Sequence, residues 1–262
     1  MLSSSEVWYG ITQVELEHLE QVDKMWVRNL MECSSTVPKD LLYLELSIIP
    51  IRYIIQTRRL LYLHHILQNK KESLLRRFFE AQLSNPIHRD WATQVLQDLE
   101  ELGINLELEQ IEDMKKEDFK CIVKDAVKQK AFSSLLERKN GRTSYHAKGK
   151  LIEYEDFTMA EYLSPNTEQI SIEERKWIFR CRVDDIDIKG NRRWQYQDIS
   201  CSSCKMNIEE TQFHILNCKY LLGKNENVTY IPNYYELFRG DIQEQIYVAR
   251  LLKENYKRRI SP

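Results

Sequence analysis

The sequence predicts a mainly α-helical fold, in which a helical array is followed by a small and separately organised C-terminal module. Two observations predict the helices: the 262 residues contain only 7 glycines and 6 prolines, and apolar residues recur at helical spacing in most segments. A third observation, a group of cysteine and histidine residues within 201–218, predicts the module. Because 42% of the residues are apolar, the chain can bury a core.

Capping residues, prolines and glycines set the helices in order along the chain. The first helix is predicted to begin at a capping box, in which Thr12 and Glu15 bond each other's backbone N–H groups. Its apolar positions recur at helical spacing and are Val14, Leu19, Val22, Trp26 and Leu30. Two further capping boxes pair Thr158 with Glu161 and Ser171 with Glu174. Further helices are predicted over 38–47, 72–83, 117–141, 171–183 and 241–260. A helix over 50–68 begins at Pro50, is apolar on most sides and should be largely buried, and a helix that begins at Asp90 should stop near Gly103.

A break in the pattern divides the chain. The stretch RTSYHAKGK, residues 142–150, has no apolar period and is the predicted linker. We therefore expect a helical segment over 1–140 and a C-terminal module over 151–262.

The remaining cysteines and the apolar runs indicate the compartment. Cys33, Cys121 and Cys181 are each isolated among apolar residues, and we expect them to be buried free thiols. The first ten residues, MLSSSEVWYG, lack the apolar segment of a secretory signal, and no apolar run approaches the ~18 residues that span a membrane. The sequence therefore predicts an intracellular protein of the nucleus or the cytoplasm, with reduced thiols and no membrane contact.

The stretch CSSCKMNIEETQFHILNC, residues 201–218, has the spacing of a metal site. Cys201 and Cys204 can place two thiolates on one ion from a tight turn, whereas His214 and Cys218 lie four apart and project from one face of a helical turn. Three thiolates and one imidazole form a closed tetrahedral set that suits structural Zn2+ and leaves no position for a catalytic water. The alternative, buried cysteines beside a core histidine, leaves unexplained why their neighbours are polar. The sequence thus predicts a zinc-stapled module that is unfolded without its metal.

Basic blocks with interleaved aromatic residues indicate contact with nucleic acid. Residues 51–80 hold seven Lys and Arg against two acids, and residues 120–150 hold nine against two. Arg52, Gln56 and Arg59 would share one helical stripe that could follow a phosphate backbone, and arginine pairs with phosphate in a bidentate way. The candidate contacts are Arg52, Arg58, Arg59, Arg76, Arg77, Arg180, Arg182, Arg192 and Arg193. The alternative for any one block is a solvated helix face.

Two other patterns carry less information. Asp187 and Lys189, with Asp184 nearby, match the carboxylate-x-lysine pattern of some Mg2+-dependent nucleases, but this spacing is common by chance. His64 and His65 are adjacent and would point to different faces of a helix, which argues against a metal or catalytic pair.

Two blocks of the chain resemble one family of proteins. Residues 6–68, which begin EVWYGITQVELEHLEQVDKM, resemble the segment that follows the polymerase core in reverse transcriptases of non-LTR (LINE-type) retrotransposons. Residues 171–218, which begin SIEERKWIFRCRVDDID, resemble the Cys–His segment near the C-terminus of the same proteins. The resemblance implies thumb and linker helices that grip template and primer, followed by a zinc knuckle. It also implies that Arg52, Arg58 and Arg59 lie near nucleic acid, and that the four Cys and His residues are the knuckle ligands.

The chain differs from that family in the residues that DNA polymerisation requires. The family's polymerase needs a Tyr-Ala-Asp-Asp type of turn to hold two metal ions. This sequence contains no such turn, and the pair Asp184 and Asp185 lies in RVDDID, which does not match it. The sequence is therefore interpreted as a C-terminal fragment, or as a decayed or repurposed copy, that does not polymerise DNA alone.

The leading hypothesis is a non-catalytic, nucleic-acid-binding segment of a LINE-type RNA-directed DNA polymerase. It would hold RNA or an RNA–DNA duplex through cationic helices, with a polymerase core supplied in cis or in trans. A first alternative is a zinc-stabilised protein-interaction module, which the net charge of −2 and the acidic stretch 89–118 favour. A second alternative is the remnant of a Mg2+-dependent nuclease.

Overall fold

A computed structural model describes residues 3–86, 90–141, 148–167, 170–204, 206–223 and 232–260. Within these ranges the fold is mainly α-helical, as the sequence predicts, and regular strands are absent. The α-helices there are α1 (Gln13–Met31), α2 (Lys39–Leu46), α3 (Ile51–Leu67), α4 (Leu74–Ser84), α5 (Trp91–Glu101), α6 (Leu108–Asp113), α7 (Lys116–Asn140), α8 (Ile172–Arg182), α9 (Gln212–Asn217), α10 (Lys219–Leu222), α11 (Glu236–Arg239) and α12 (Ile242–Ile260). Three 3-10 helices cover Ser5–Val7, Glu161–Leu163 and Lys189–Gln195.

The chain divides into two compact units. The first comprises Met1–Trp26 and Ile48–Leu135, and the second comprises Val27–Ser47 and Leu136–Pro262. The division into 1–140 and 151–262 stays a prediction, and the compact units differ from it because residues 27–47 group with the C-terminal part. Residues 142–147 of the predicted linker lie outside the described residues.

Helix α3 forms the centre of the first unit. It begins directly after Pro50, a residue with no backbone N–H that would need a partner at the helix start. Helices α4, α5 and α6 and the 3-10 helix Ser5–Val7 contact α3. As a result Ile55, Leu60 and Leu63 are almost completely buried, and the expectation that this helix is largely buried is confirmed.

Local capping explains where the neighbouring helices begin and end. The Ser73 side chain accepts a hydrogen bond from the backbone N–H of Arg76 and begins α4, and Asp90 caps α5 in the same way. Gly103 follows α5 with φ of +68°, a left-handed conformation that glycine adopts without steric cost. The helix thus ends where the sequence predicts.

The second unit has its own core. Helix α12 contacts α8, α9, α10 and α11, and Phe179 of α8 and Leu252 of α12 are completely buried between them. The indole Nε1 of Trp177 donates to the carbonyl of Ala249 at 2.8 Å, which satisfies the polar atom of a large buried ring.

A buried ion pair lies at the centre of this unit. Arg182 donates to Glu45, with Nη2 to Oε1 at 3.1 Å, and also to the Leu237 carbonyl at 2.6 Å. The hydroxyls of Tyr154 and Tyr162 donate to the same carboxylate. Burial, and then the charge of Glu45, raise the pKa of both tyrosines, so they remain protonated donors. The pair therefore ties α2 to α8 through a fully bonded network.

Helix α1 departs from the usual orientation of an amphipathic helix. Among its apolar residues, Val27 and Met31 are buried, whereas Val14, Val22 and Trp26 of the apolar stripe are exposed. The Thr12–Glu15 capping box forms as predicted, with Thr12 N donating to Glu15 Oε2 at 2.9 Å.

Two local predictions from the sequence were wrong. The Thr158–Glu161 capping box does not form, because Thr158 donates to Asp156 and the 3-10 helix Glu161–Leu163 begins after Ala160. Of the three isolated cysteines, Cys181 is buried and Cys33 is half-buried, and burial raises the pKa of Cys33 to about 11. Cys121 is instead exposed, because it lies on the outward face of α7.

Among the described residues, no helix is long and apolar enough to cross a membrane.

Candidate metal centre and cationic surface

A short hairpin positions the first cysteine pair. Ser200 and Glu209 form an isolated antiparallel bridge, and on either side of it the N–H of Cys201 donates to Ile208 O at 2.7 Å and the N–H of Glu210 donates to Ile199 O at 2.8 Å. The chain between these hydrogen bonds must turn tightly. This turn carries Cys201 and Cys204, so both thiols project from one end of the hairpin.

Helix α9 positions the other two candidate ligands. Thr211 caps the helix, since its hydroxyl accepts from the backbone N–H of His214 at 3.1 Å. Cys218 follows the last residue of α9, one turn beyond His214, so the thiol and the imidazole share a face. The buried amide of Asn255 on α12 donates to the carbonyl of Ile215 at 3.1 Å, which holds this helix against the core of the unit.

The four side chains converge as the spacing predicts. One ligand atom from each of Cys201, Cys204, His214 and Cys218 lies within 4.8 Å of all the others, and Cys204 Sγ lies 3.4 Å from His214 Nε2. Ligand bonds of about 2.3 Å to sulfur and 2.0–2.1 Å to nitrogen in a tetrahedron separate the donors by about 3.4–3.8 Å. The observed spread is therefore close to what one ion requires. The group can hold a metal ion and is compatible with zinc.

Burial acts in different directions on the thiol of Cys201 and on the imidazole of His214. Burial raises the pKa of Cys201 and lowers that of His214. The lowered pKa favours the neutral imidazole, which is the form that binds metals. Cys201 and Cys218 are buried, and a cation between buried thiolates removes the cost of placing their charge away from water.

A buried carboxylate connects the metal-binding turn to the rest of the unit. Glu210 is completely buried, and its side chain accepts from the backbone N–H of Lys189 at 3.0 Å and of Ser202 at 3.2 Å. Arg259 near the end of α12 forms an ion pair with it. Glu210 therefore fixes the Cys-x2-Cys turn from behind, as residues around metal ligands commonly do.

Comparison with known proteins gives no match to this chain, neither among models of protein families nor among curated proteins or solved structures.

Three of the predicted nucleic-acid contacts are buried in internal ion pairs. The Arg59 side chain donates to both oxygens of Asp98, at 2.6 and 2.8 Å, and Arg76 pairs with Glu112 at 2.9 Å. Arg182 pairs with Glu45 as described above. All three arginines are less than a tenth exposed, so their charges are used inside the protein and they do not face a phosphate backbone.

The other predicted arginines remain at least partly accessible. Arg58 and Arg77 are exposed on α3 and α4. Arg52 pairs with Glu101, and Arg193 pairs with Glu209, each with about a third of its side chain exposed. Arg180 and Arg192 lie in the second unit together with Arg193. Arg192 pairs with Asp185 and Asp187, and Arg180 lies over the ring of Trp177 at 5.9 Å.

A row of lysines on α7 is a further cationic surface. The sequence-based prediction, which named only arginines, missed it. Lys116, Lys120, Lys124 and Lys128 repeat every four residues, and each is exposed or half-exposed. Successive members are about 6 Å apart along the helix axis. The buried positions of α7 run beside them and are Phe119, Val123, Val127, Ala131 and Leu135. The i, i+4 repeat next to this apolar stripe is visible in the sequence and could have identified the row.

Arg58 and the start of this row meet at one groove. A groove of about 780 Å3 in the first unit is lined by Arg58, Tyr62, His65, Lys115 and Lys116, among others. The rings of Tyr62 and His65 stack with their centroids 5.8 Å apart. Its lining also holds the acids Glu6, Glu112 and Asp113, so the groove combines cations, acids and flat aromatic surfaces.

The side chains of the two remaining patterns contact different parts of the chain. Lys189 Nζ donates to the Ser200 carbonyl at 2.9 Å, while Asp187 is exposed beside Arg192. The adjacent histidines point apart, because the buried ring of His64 contacts the Met114 carbonyl and His65 is exposed.

Proposed function

We propose that this chain is a non-catalytic, nucleic-acid-binding C-terminal segment of a LINE-type RNA-directed DNA polymerase. Its first unit binds RNA or an RNA–DNA duplex through exposed cations, and a structural zinc ion organises the end of its second unit. The polymerase core is supplied in cis or in trans. The observation that carries the binding role is the row of lysines on α7, which continues from the groove containing Arg58.

The charge distribution supports binding to phosphates. Lys116, Lys124 and Lys128 are exposed along one side of a helix of 25 residues, so they present several positive charges to one extended partner. Nucleic acid carries a charge at every nucleotide, and each phosphate that a lysine neutralises releases a counterion. The stacked rings of Tyr62 and His65 offer a surface for an unpaired base.

Zinc is the metal that we propose for the four-ligand group. Three sulfurs and one nitrogen in a closed tetrahedral set favour Zn2+ over Mg2+ or Ca2+, which prefer oxygen ligands. With four protein ligands the ion has no free position, which supports a structural role rather than a hydrolytic one. Exposed aromatic residues of this unit, Trp194 and Phe213 among them, offer further stacking surfaces.

The bonding of the acidic residues supports a non-catalytic role. Asp184 accepts from the Gly149 N–H and from the Gln212 side chain, and Asp185 accepts from Ser34 and Lys148. Both carboxylates are thus engaged by the protein itself.

Salt-dependent binding of the zinc-loaded full chain to structured RNA and to an RNA–DNA duplex tests the proposal. Filter binding between about 50 and 200 mM salt should show a steep linear fall of log K against log salt. Replacing both Lys124 and Lys128 with Gln should weaken binding and reduce the slope by about 1.4–1.8, since each lost phosphate contact contributes about 0.7–0.9.

A matched double variant separates local contact from net charge. Arg239→Gln with Arg250→Gln removes the same two charges from exposed positions in the second unit. This control should bind RNA as the unaltered chain does. Equal weakening by both double variants, or no binding at low salt, would contradict the proposed surface.

A further inference from the structure

Exposed apolar side chains are concentrated near one end of the first unit. Of the 21 large apolar side chains that are exposed among the described residues, six lie between residues 7 and 26. They are Val7, Tyr9, Val14, Val22, Met25 and Trp26. A group of this kind on a folded surface commonly marks a contact with a partner.

The segment that carries Val7 and Tyr9 is held rigidly. Ser5 accepts a hydrogen bond from Arg58, the Glu6 carbonyl accepts from the indole of Trp91 at 2.9 Å, and the Trp8 carbonyl accepts from Arg59 at 3.1 Å. The bonds to the Glu6 and Trp8 carbonyls hold the backbone on either side of Val7 and directly before Tyr9. The two side chains therefore project from a fixed ridge, which reduces the entropy lost when a partner binds.

A groove lies on each side of this ridge, and Val7 and Tyr9 line both. The first groove, of about 520 Å3, continues over Tyr62, Ile66 and Phe78. The second, of about 640 Å3, continues over Ile11, Leu19 and Val22 of the neighbouring helix α1. We call the ridge and its two grooves the Tyr9 surface. Each groove is large enough for an apolar or aromatic anchor residue.

The charges around the Tyr9 surface restrict its partner. The polar residues of the two linings include the acids Asp90 and Glu15, and no Lys or Arg belongs to either lining. Residues 1–23 contain five acids and no Lys or Arg. A phosphate-bearing ligand would be repelled here, and a second copy of the chain would bring the same acids to the contact. A partner with positive flanks fits instead.

We propose that the Tyr9 surface binds an amphipathic helix of another protein, with an apolar face that is flanked by Lys and Arg. Apolar residues at i, i+3 or i+4 and i+7 of such a helix would enter the two grooves on either side of the ridge. Its cations would face Glu15, which lines the second groove and is exposed on α1. This interaction differs from nucleic-acid binding in using Val7, Tyr9 and α1, although Tyr62 lines both the first groove and the groove that contains Arg58.

Fluorescence anisotropy with two synthetic labelled peptides tests the proposal on the zinc-loaded full chain. The first peptide places Leu at i, i+3, i+4 and i+7 with Lys at the flanking positions, and the second has the same pattern with Glu in place of Lys. The Lys peptide should bind at least tenfold more tightly, and raising the salt should weaken it. Equal affinity for both peptides would overturn the proposal.

Matched variants locate the contact. Tyr9→Ser with Val22→Ser should weaken binding of the Lys peptide at least tenfold and leave RNA affinity unchanged. Met159→Ser with Ile172→Ser removes similarly exposed apolar side chains from the second unit and should change neither. Equal losses in the two double variants would overturn the proposal. Self-association that Tyr9→Ser abolishes, seen by sedimentation velocity, would show that a second copy is the occupant instead.

Discussion

Replacing Arg59 with alanine distinguishes a buried structural arginine from a phosphate contact. The variant removes the two hydrogen bonds to Asp98, at 2.6 and 2.8 Å, and the bond to the Trp8 carbonyl. The Asp98 side chain is only 1% exposed, so it would be left as a buried carboxylate without its cation. Breaking one side of such a pair costs about 3–5 kcal/mol, which we expect as the loss in the free energy of unfolding at pH 8.

The loss should depend on pH in a defined direction. Burial raises the pKa of Asp98, and removal of Arg59 takes away the group that most opposes this rise. The pKa of Asp98 in the folded variant then lies above its value in the unfolded chain. The folded state is therefore favoured when Asp98 is protonated, and stability is lost as the pH rises through the folded pKa. The deficit of Arg59→Ala should thus be smaller at pH 5 than at pH 8.

Urea denaturation followed by far-UV circular dichroism measures both effects. Arg77→Ala, an exposed arginine on the neighbouring helix α4, is the control and should change the unfolding free energy by less than about 0.5 kcal/mol. Arg59→Met with Asp98→Leu should recover most of the loss, because no charge is then buried. If Arg59→Ala were as stable as Arg77→Ala and had lost RNA affinity, Arg59 would be a nucleic-acid contact and the structural role would be wrong.

Three further changes test the second unit. Arg250 and then the Ser171 N–H lower the pKa of Glu174 to about 2. The stability that ionised Glu174 contributes is therefore present above the ordinary carboxyl pKa of about 4.3 and is lost as the pH falls. The difference in urea midpoint between the unaltered chain and Glu174→Gln should narrow below that pH. Asn255→Ala leaves the Ile215 carbonyl on the His214 helix without its donor, and should cost about 1–3 kcal/mol in urea and weaken zinc in competition with a chelator. In Gly190→Ala the new Cβ would lie 2.6 Å from the Glu210 carbonyl oxygen, so the free energy of unfolding measured in urea should fall by about 1–3 kcal/mol. The loss should be smaller in Gly223→Ala, where the atom nearest to the new Cβ is 3.2 Å away.

The features that the sequence predicted well are those that neighbouring residues determine. Pro50 and Gly103 mark a helix start and a helix end because their effect on the backbone is local. The Ser171–Glu174 box forms as predicted, with Ser171 N donating to Glu174 Oε2 at 3.0 Å. The four metal ligands also lie within 18 residues, so their spacing alone indicates that they converge.

The arginines show what local patterns leave out. Arg59 and Arg182 belong to basic blocks, yet their partners Asp98 and Glu45 are 39 and 137 positions away. Only the packing of the helices brings these acids beside the arginines. Arginines that the sequence suggests as nucleic-acid contacts therefore form buried ion pairs in the fold. The Tyr9 surface was missed for the same reason, because spacing identifies an apolar stripe on α1 but cannot tell which way the stripe faces.

Measuring the metal content of the purified full chain tests the central claim most directly. The account predicts one zinc per chain, and after exchange with Co2+ it predicts the visible absorption of a tetrahedral site with thiolate charge-transfer bands. Cys201→Ser with Cys218→Ser should abolish both signals. The account would be contradicted if the purified chain contained no zinc and also took up no Co2+. It would also be contradicted if the double variant kept its full zinc content.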